Sequence, residues 1–251
     1  MTQLDRRKFL KGSAAVAAAT GAATLARGAA PTPLAAPSKI GPGGDYQWQV
    51  LNADDAAILA AAADRIIPED ELSPAASALG IPEFIDRQLA GPFGSGARWY
   101  MQGPFSNGVP SQGYQSRRPP AELMRDGLRA LDRRAQQDHG KRFAQLATDQ
   151  QDDLLTGVDD GVRSLDGIDG VVFFNLLLRM SKEGFLSDPM YGGNRDMAGW
   201  TMLGFPGARG NFYTWPERSD QPYPYPPVSI QGVWAWRSRK SPSMSSASVS
   251  A

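Results

Sequence analysis

Residues 169–213 read DGVVFFNLLLRMSKEGFLSDPMYGGNRDMAGWTMLGFPGARGNFY, and the fold turns on how this run divides. Its first part is the most apolar in the chain, with seven apolar residues among the eight at 171–178. Asp169 stands where an N-cap belongs, because its carboxylate can accept from a free N–H of the first helical turn. The spacing predicts a helix that starts there and ends at Gly184. A helix apolar all round is expected to sit buried in a bundle, and at this length it does not span a membrane.

The second part has a different character. The 29 residues 185–213 include six Gly and six aromatic side chains. Asp188-Pro189 favours a turn, and Gly192-Gly193 permits backbone angles barred to other residues. Asn194 is placed to cap a short helix with Met197, Trp200 and Leu203 on one face, stopped by Gly204 and Pro206. Two readings are open. Gly and aromatics can interlock to close the domain, or Tyr191, Trp200, Phe205 and Phe212 can form a rigid contact face for a partner. Aromatics and Arg dominate interface energetics, often at about 2 kcal/mol or more each.

Upstream the pattern is helical. Asn52 can cap a helix whose first turn holds Asp54 and Asp55, where the helix dipole favours negative charge. Ile58, Leu59, Ala62, Ala63 and Ile66 form its apolar stripe, and Pro68 ends it. The carboxylates that follow, Glu69, Asp70 and Glu71, read as a solvated turn, since they lack the ligand spacing and Gly of a calcium loop. A second helix is expected over 82–89, with Phe84, Ile85 and Leu89 buried. Residues 91–120 make a long connection rich in Gly, Pro and aromatics, with Trp99, Tyr100 and Phe105 expected to pin it. A long amphipathic helix follows over 120–138. Met124, Leu128, Leu131 and Ala135 recur at helical spacing, Gly140 is its cap, and Arg125, Arg129, Arg133 and Arg134 read as a solvated face. His139 falls in its last turn, where a cation suits the dipole. Residues 148–151 resemble a capping box for a short helix holding Leu154 and Leu155.

Downstream, PYPYPP at 222–227 cannot be helix and is expected to run as an extended strap. Trp234 and Trp236 would end the ordered part, and the Ser-rich residues 237–251 read as a disordered tail. The whole is expected to be a mainly α, irregular helical domain over 45–236, with long Gly/Pro/aromatic-rich loops and extended straps.

Composition narrows the chemistry. The chain has 26 basic and 26 acidic residues, no Cys and a single His. The charge balance gives no ground for a nucleic-acid partner. Without Cys there is no disulfide, thiolate nucleophile, Cys-held iron–sulfur cluster or thioether-linked c-type haem. One His excludes a multi-His metal site.

The N-terminus has the layout of an export signal over 1–30: a charged start, a mild Ala-rich apolar run, then small residues. Arg6-Arg7 with Phe9, Leu10 and Lys11 matches the twin-arginine pattern R-R-x-F-L-K. Ala26 and Gly28 offer a small-residue cleavage site, and the Pro-, Ala- and Gly-rich residues 31–44 read as a linker. Removing residues 1–28 would take away five basic groups and one acidic group, leaving 21 against 25 and a net charge of −4. The twin-arginine route carries folded passengers, so a chain without an evident cofactor motif on that route points to a bound partner.

The central run resembles the signature of the gluconate 2-dehydrogenase subunit 3 family, E-G-F-x-x-D-P-x-Y-G-G-N, then Trp, then G-F-P-G. Here it stands as Glu183-Gly184-Phe185, Asp188-Pro189, Tyr191-Gly192-Gly193-Asn194, Trp200 and Gly204-Phe205-Pro206-Gly207. Residues 58–68 and 81–89 look like the family's first half. The resemblance implies a non-catalytic accessory subunit with no cofactor of its own. It also implies a large FAD-containing dehydrogenase subunit and a multihaem cytochrome c subunit as partners, in a periplasmic, membrane-associated complex acting on a sugar or sugar acid. The partner contact expected from it involves Asp188, Tyr191, Gly192, Gly193, Asn194, Arg195, Trp200, Phe205, Pro206 and Gly207. Two rivals remain: a stand-alone periplasmic carbohydrate-active enzyme using Glu183, Asp188 and Tyr191, or a carbohydrate-binding module using the aromatics.

Overall fold

The computed structural model describes residues 46–232 apart from 106–108, 110, 111, 115, 214, 219, 220 and 222. The export signal, the linker, Trp234, Trp236 and the Ser-rich tail lie outside the described residues. Among the described residues six α-helices carry the fold: α1 (Ala53–Ile66), α2 (Ile81–Ala90), α3 (Pro120–His139), α4 (Thr148–Asp159), α5 (Gly170–Leu186) and α6 (Ala198–Leu203). Among the described residues, β pairing is limited to two isolated bridges, Leu165 with Ile168 and Gly207 with Val228. The domain is mainly α, as its periodicity implies.

Helix α5 is the hub and packs against all five other helices. Asp169 starts it by accepting the Val172 N–H at 3.1 Å. Phe173, Leu176, Leu177, Met180, Ser181, Gly184 and Phe185 are buried. It is not buried all round: Val171, Asn175, Arg179, Lys182 and Leu186 recur at helical spacing along an exposed stripe. Nor does Gly184 end it. The helix runs on to Leu186, and Gly184 lies where α2 crosses, so that a Cβ there would be 2.9 Å from Phe84 Cδ1 and 3.2 Å from Ile81 Cγ2. Its smallness serves close helix packing rather than termination.

Other signals resolve more simply. Asn52 Oδ1 accepts the Asp55 N–H at 2.7 Å and caps α1. Gly140, at φ 67°, closes α3 in the left-handed region. Helix α4 is capped by Ala147, one residue earlier than expected. Gln150 accepts the Ala147 N–H at 3.2 Å, but alanine has no side-chain acceptor to return the bond, so half a capping box forms. The basic face of α3 is also less solvated than its pattern suggests. Arg129 reaches across to α1 and grips Asp55 with two 2.9 Å bonds, and Asp55 is only 2% exposed. The long connection is pinned by Trp99, stacked on Tyr114 at 4.8 Å, and not by Tyr100, which is 80% exposed.

The segment before α1 is fastened by one buried carboxylate. Asp86 accepts from the Tyr46 hydroxyl and from the N–H groups of Gln49, Val50 and Leu51, at 2.7–3.0 Å. Burial, then the hydrogen bond to Asp86 and its charge, push the Tyr46 phenol well above its ordinary pKa.

Candidate interaction surface

The signature starts in the last turn of α5 and runs on beyond it. Asp188 is buried and each of its oxygens is in use: Oδ1 accepts the Met190 N–H at 3.0 Å, and Oδ2 accepts the Ile230 N–H at 2.7 Å. Pro189–Tyr191 forms one 3-10 turn. Gly192 follows at φ 108°, with its carbonyl so close to Gly80 that a Cβ on Gly80 would lie 2.4 Å from it. A Cβ on Gly193 would lie 2.3 Å from the Gly184 carbonyl oxygen. The two glycines therefore let the chain pass between α2 and α5 at backbone contact distance.

The next turn is strained and then compensated. Asn194, Asp196 and Met197 all have positive φ, at 49°, 57° and 57°. Such conformations in non-Gly residues persist where surrounding contacts over-determine them. Asn194 is fully buried; its Nδ2 donates to the Ser187 carbonyl and its Oδ1 accepts the Gly199 N–H, both at 2.9 Å. It thereby caps α6 from four residues before Ala198, through the tight turn. Arg195 turns back onto α2: its backbone N–H bonds Leu79, and its guanidinium pairs with Glu83 at 2.8 Å.

Trp200 faces inward. It is 6% exposed, donates Nε1–H to the Leu186 carbonyl at 2.7 Å and meets Phe205 edge-on at 5.2 Å. Leu203, expected beside Met197 and Trp200, is 61% exposed. Successive steps of three residues each lag the helix by about 60°, so the third member of the row has turned away from the first. Gly207, at φ 75°, pairs with Val228, whose carbonyl accepts the Ala208 N–H at 2.7 Å.

The ten residues singled out in the sequence thus divide. Asp188, Gly192, Gly193, Asn194, Trp200 and Gly207 are buried and hold the segment together, and Arg195 and Pro206 are half-buried. Tyr191 and Phe205 are 46% and 47% exposed. Trp200 therefore leaves the proposed contact face, because its ring is spent on the domain. Leu186, Met202, Leu203, Phe212, Tyr213, Tyr225 and Ile230 are further large apolar side chains left open to solvent along 186–230.

The rival acid–base residues do not assemble. Glu183 lies exposed on α5, 3.6 Å from Arg179, while both Asp188 oxygens accept backbone N–H groups. His139 Nδ1 lies 3.4 Å from the Gln150 amide. Among the described residues no cluster of His, Cys, Asp or Glu side chains could hold a metal ion, and no helix is long and apolar enough to cross a membrane.

A family model described as gluconate 2-dehydrogenase subunit 3 matches residues 53–207. The chain belongs to this family. The matched span opens at the first residue of α1 and closes at Gly207, so the subunit 3 family shares the helical domain together with its folded signature. A twin-arginine translocation pathway signal sequence matches residues 3–24, which include Arg6, Arg7, Phe9, Leu10 and Lys11. That signal marks the chain for export, and the two matches together make it an exported subunit of a dehydrogenase complex. No curated protein and no solved structure matches the chain.

Some structural residues of this subunit 3 domain escaped the sequence reading. Asp86 is one: a lone carboxylate between the apolar Ile85 and Leu89 on the buried side of α2 is the signal that could have revealed it. Asp132 is another. It is buried on α3 and binds the Phe143 N–H at 2.9 Å, Gln136 and Arg142.

Proposed function

We propose that the protein is the non-catalytic small subunit of a periplasmic, membrane-associated, FAD-dependent sugar or sugar-acid dehydrogenase, which it escorts through export and stabilises. In this reading FAD and haem c reside in a flavoprotein subunit and a cytochrome c subunit. With no Cys, this chain has no thiol to which haem c could be attached. The observation that carries the reading is the division within residues 188–207. The inward residues make a braced turn out of a segment with little regular structure. The outward ones, Tyr191 and Phe205, are left as aromatic anchors on that support. A face fixed before binding loses less conformational entropy when a partner docks. The burial of Asp188 and its use as an anchor for two backbone N–H groups give it a structural task, which weighs against a sugar-cleaving site here.

The escort is tested in native cells carrying Arg6→Lys with Arg7→Lys. The expected result is loss of both this chain and its flavoprotein partner from the periplasm, with dehydrogenase activity retained inside the cell. Arrival of the flavoprotein in the periplasm at its normal level would remove the escort role.

A further inference from the structure

Beyond Gly207 the chain departs and then comes back as residues 223–232, all but one of them outside any helix or bridge. No residue of this return segment belongs to the hydrophobic core or packs against it, and Tyr225 and Ile230 are 61% and 62% exposed. Polar contacts hold it, together with the Tyr223 ring edge-on to Phe212 and Trp215 at 5.7 and 5.0 Å. Val228 exchanges two backbone bonds with Pro206 and Ala208, at 3.3 and 2.7 Å. Arg209 bonds the Pro226 carbonyl and lies over the Tyr223 and Tyr225 rings. Those contacts all come from 206–215. Among the described residues, the hydrogen bond that ties this segment to a residue before α6 is the one from the Ile230 N–H to Asp188 Oδ2, 2.7 Å long and between positions 42 apart in sequence.

We propose that Asp188 is the latch of a detachable strap: its Oδ2 fastens residues 223–232 to the helical domain, and breaking that bond releases the strap, still joined to 206–215, from α1–α5, which stay folded. The chemistry suits a latch. Asp188 is 6% exposed, and a charge-assisted bond to a shielded carboxylate is among the stronger hydrogen bonds available. Little apolar surface backs it up, so strap and domain are not bound into one cooperative unit.

The test is hydrogen exchange, read peptide by peptide, on the purified full chain and two variants. Asp188→Ala removes both of the carboxylate's bonds. Ile230→Pro removes only the donor, at the second position of the turn that the Gly232 N–H to Ser229 carbonyl bond closes, where proline is favoured. Both variants should speed exchange in residues 223–232 by about tenfold or more, the loss expected for one bond to a charged group. Only Asp188→Ala should also loosen 189–191, and the peptides of α1–α5 should keep wild-type rates. Wild-type exchange of 223–232 in Ile230→Pro would overturn the latch. So would acceleration of the helices together with the strap, which would make it part of the core's cooperative unit. Neither readout involves a partner, so the result stands apart from the fate of the subunit reading.

Discussion

Asn194→Ala is the perturbation that most sharply tests the inward half of the signature. The substitution deletes the donor to the Ser187 carbonyl and the acceptor for the Gly199 N–H, at a fully buried site. Leaving a buried donor or acceptor without its partner costs about 1–3 kcal/mol. Alanine at φ 49° adds a further penalty of about 1 kcal/mol, because its Cβ crowds the carbonyl in the left-handed region. With both backbone groups left unpaired, the sum is about 3–7 kcal/mol. Asn194→Gly loses the same two bonds but adopts the left-handed conformation freely, so it should be about 1 kcal/mol less damaging than alanine. Urea denaturation followed by far-UV circular dichroism measures both, with equal m-values showing that the same surface unfolds. A loss below about 1 kcal/mol for Asn194→Ala would refute the bracing role, and alanine no worse than glycine would refute the strain argument.

Three further outcomes follow from the packing and the charges. Asp86→Ala strips four donors of one acceptor and should cost about 3 kcal/mol by denaturant titration, with early loss of amide protection at residues 49–51. Gly127→Ala should destabilise even though alanine favours helix by about 1 kcal/mol, because its Cβ would lie 2.1 Å from Phe173 Cδ2, and thermal unfolding would show a fall in midpoint. Asp138 and Asp152 have pKa values held below the ordinary carboxylate range by Arg134 and Arg65 respectively. Their folded values lie below the unfolded value of about 3.9, so their stabilisation is complete above that pH and is lost as pH falls through the folded values. Arg65→Met should remove the Asp152 share of that acid-side loss, seen as a shallower fall in unfolding free energy below about pH 4.

What the sequence disclosed was mostly local. Asn52, Asp169 and Gly140 were legible as caps because each partner lies within three or four residues. The apolar rows of α1, α2 and α3 were legible because helical spacing repeats within one turn. Contacts between distant positions were hidden. Gly184 carries the same letter whether it ends a helix or admits Phe84, and only the crossing of α2 decides. Arg129 reads as one more surface cation until α1 brings Asp55 to it. The signature itself was legible as a unit, but not its sidedness. Trp200 and Tyr191 look alike in sequence, and the Leu186 carbonyl turns one inward while the other stays open.

The most direct measurement of the central claim is affinity purification of the tagged chain from its native cells, read by mass spectrometry and visible absorbance. Wild type is compared with Tyr191→Ser plus Phe205→Ser. The wild-type chain should bring down a flavoprotein with flavin bands, and the double variant should lose it while its thermal midpoint stays near that of wild type. A colourless wild-type chain recovered alone, or a double variant that keeps its partner at full yield, would contradict the account.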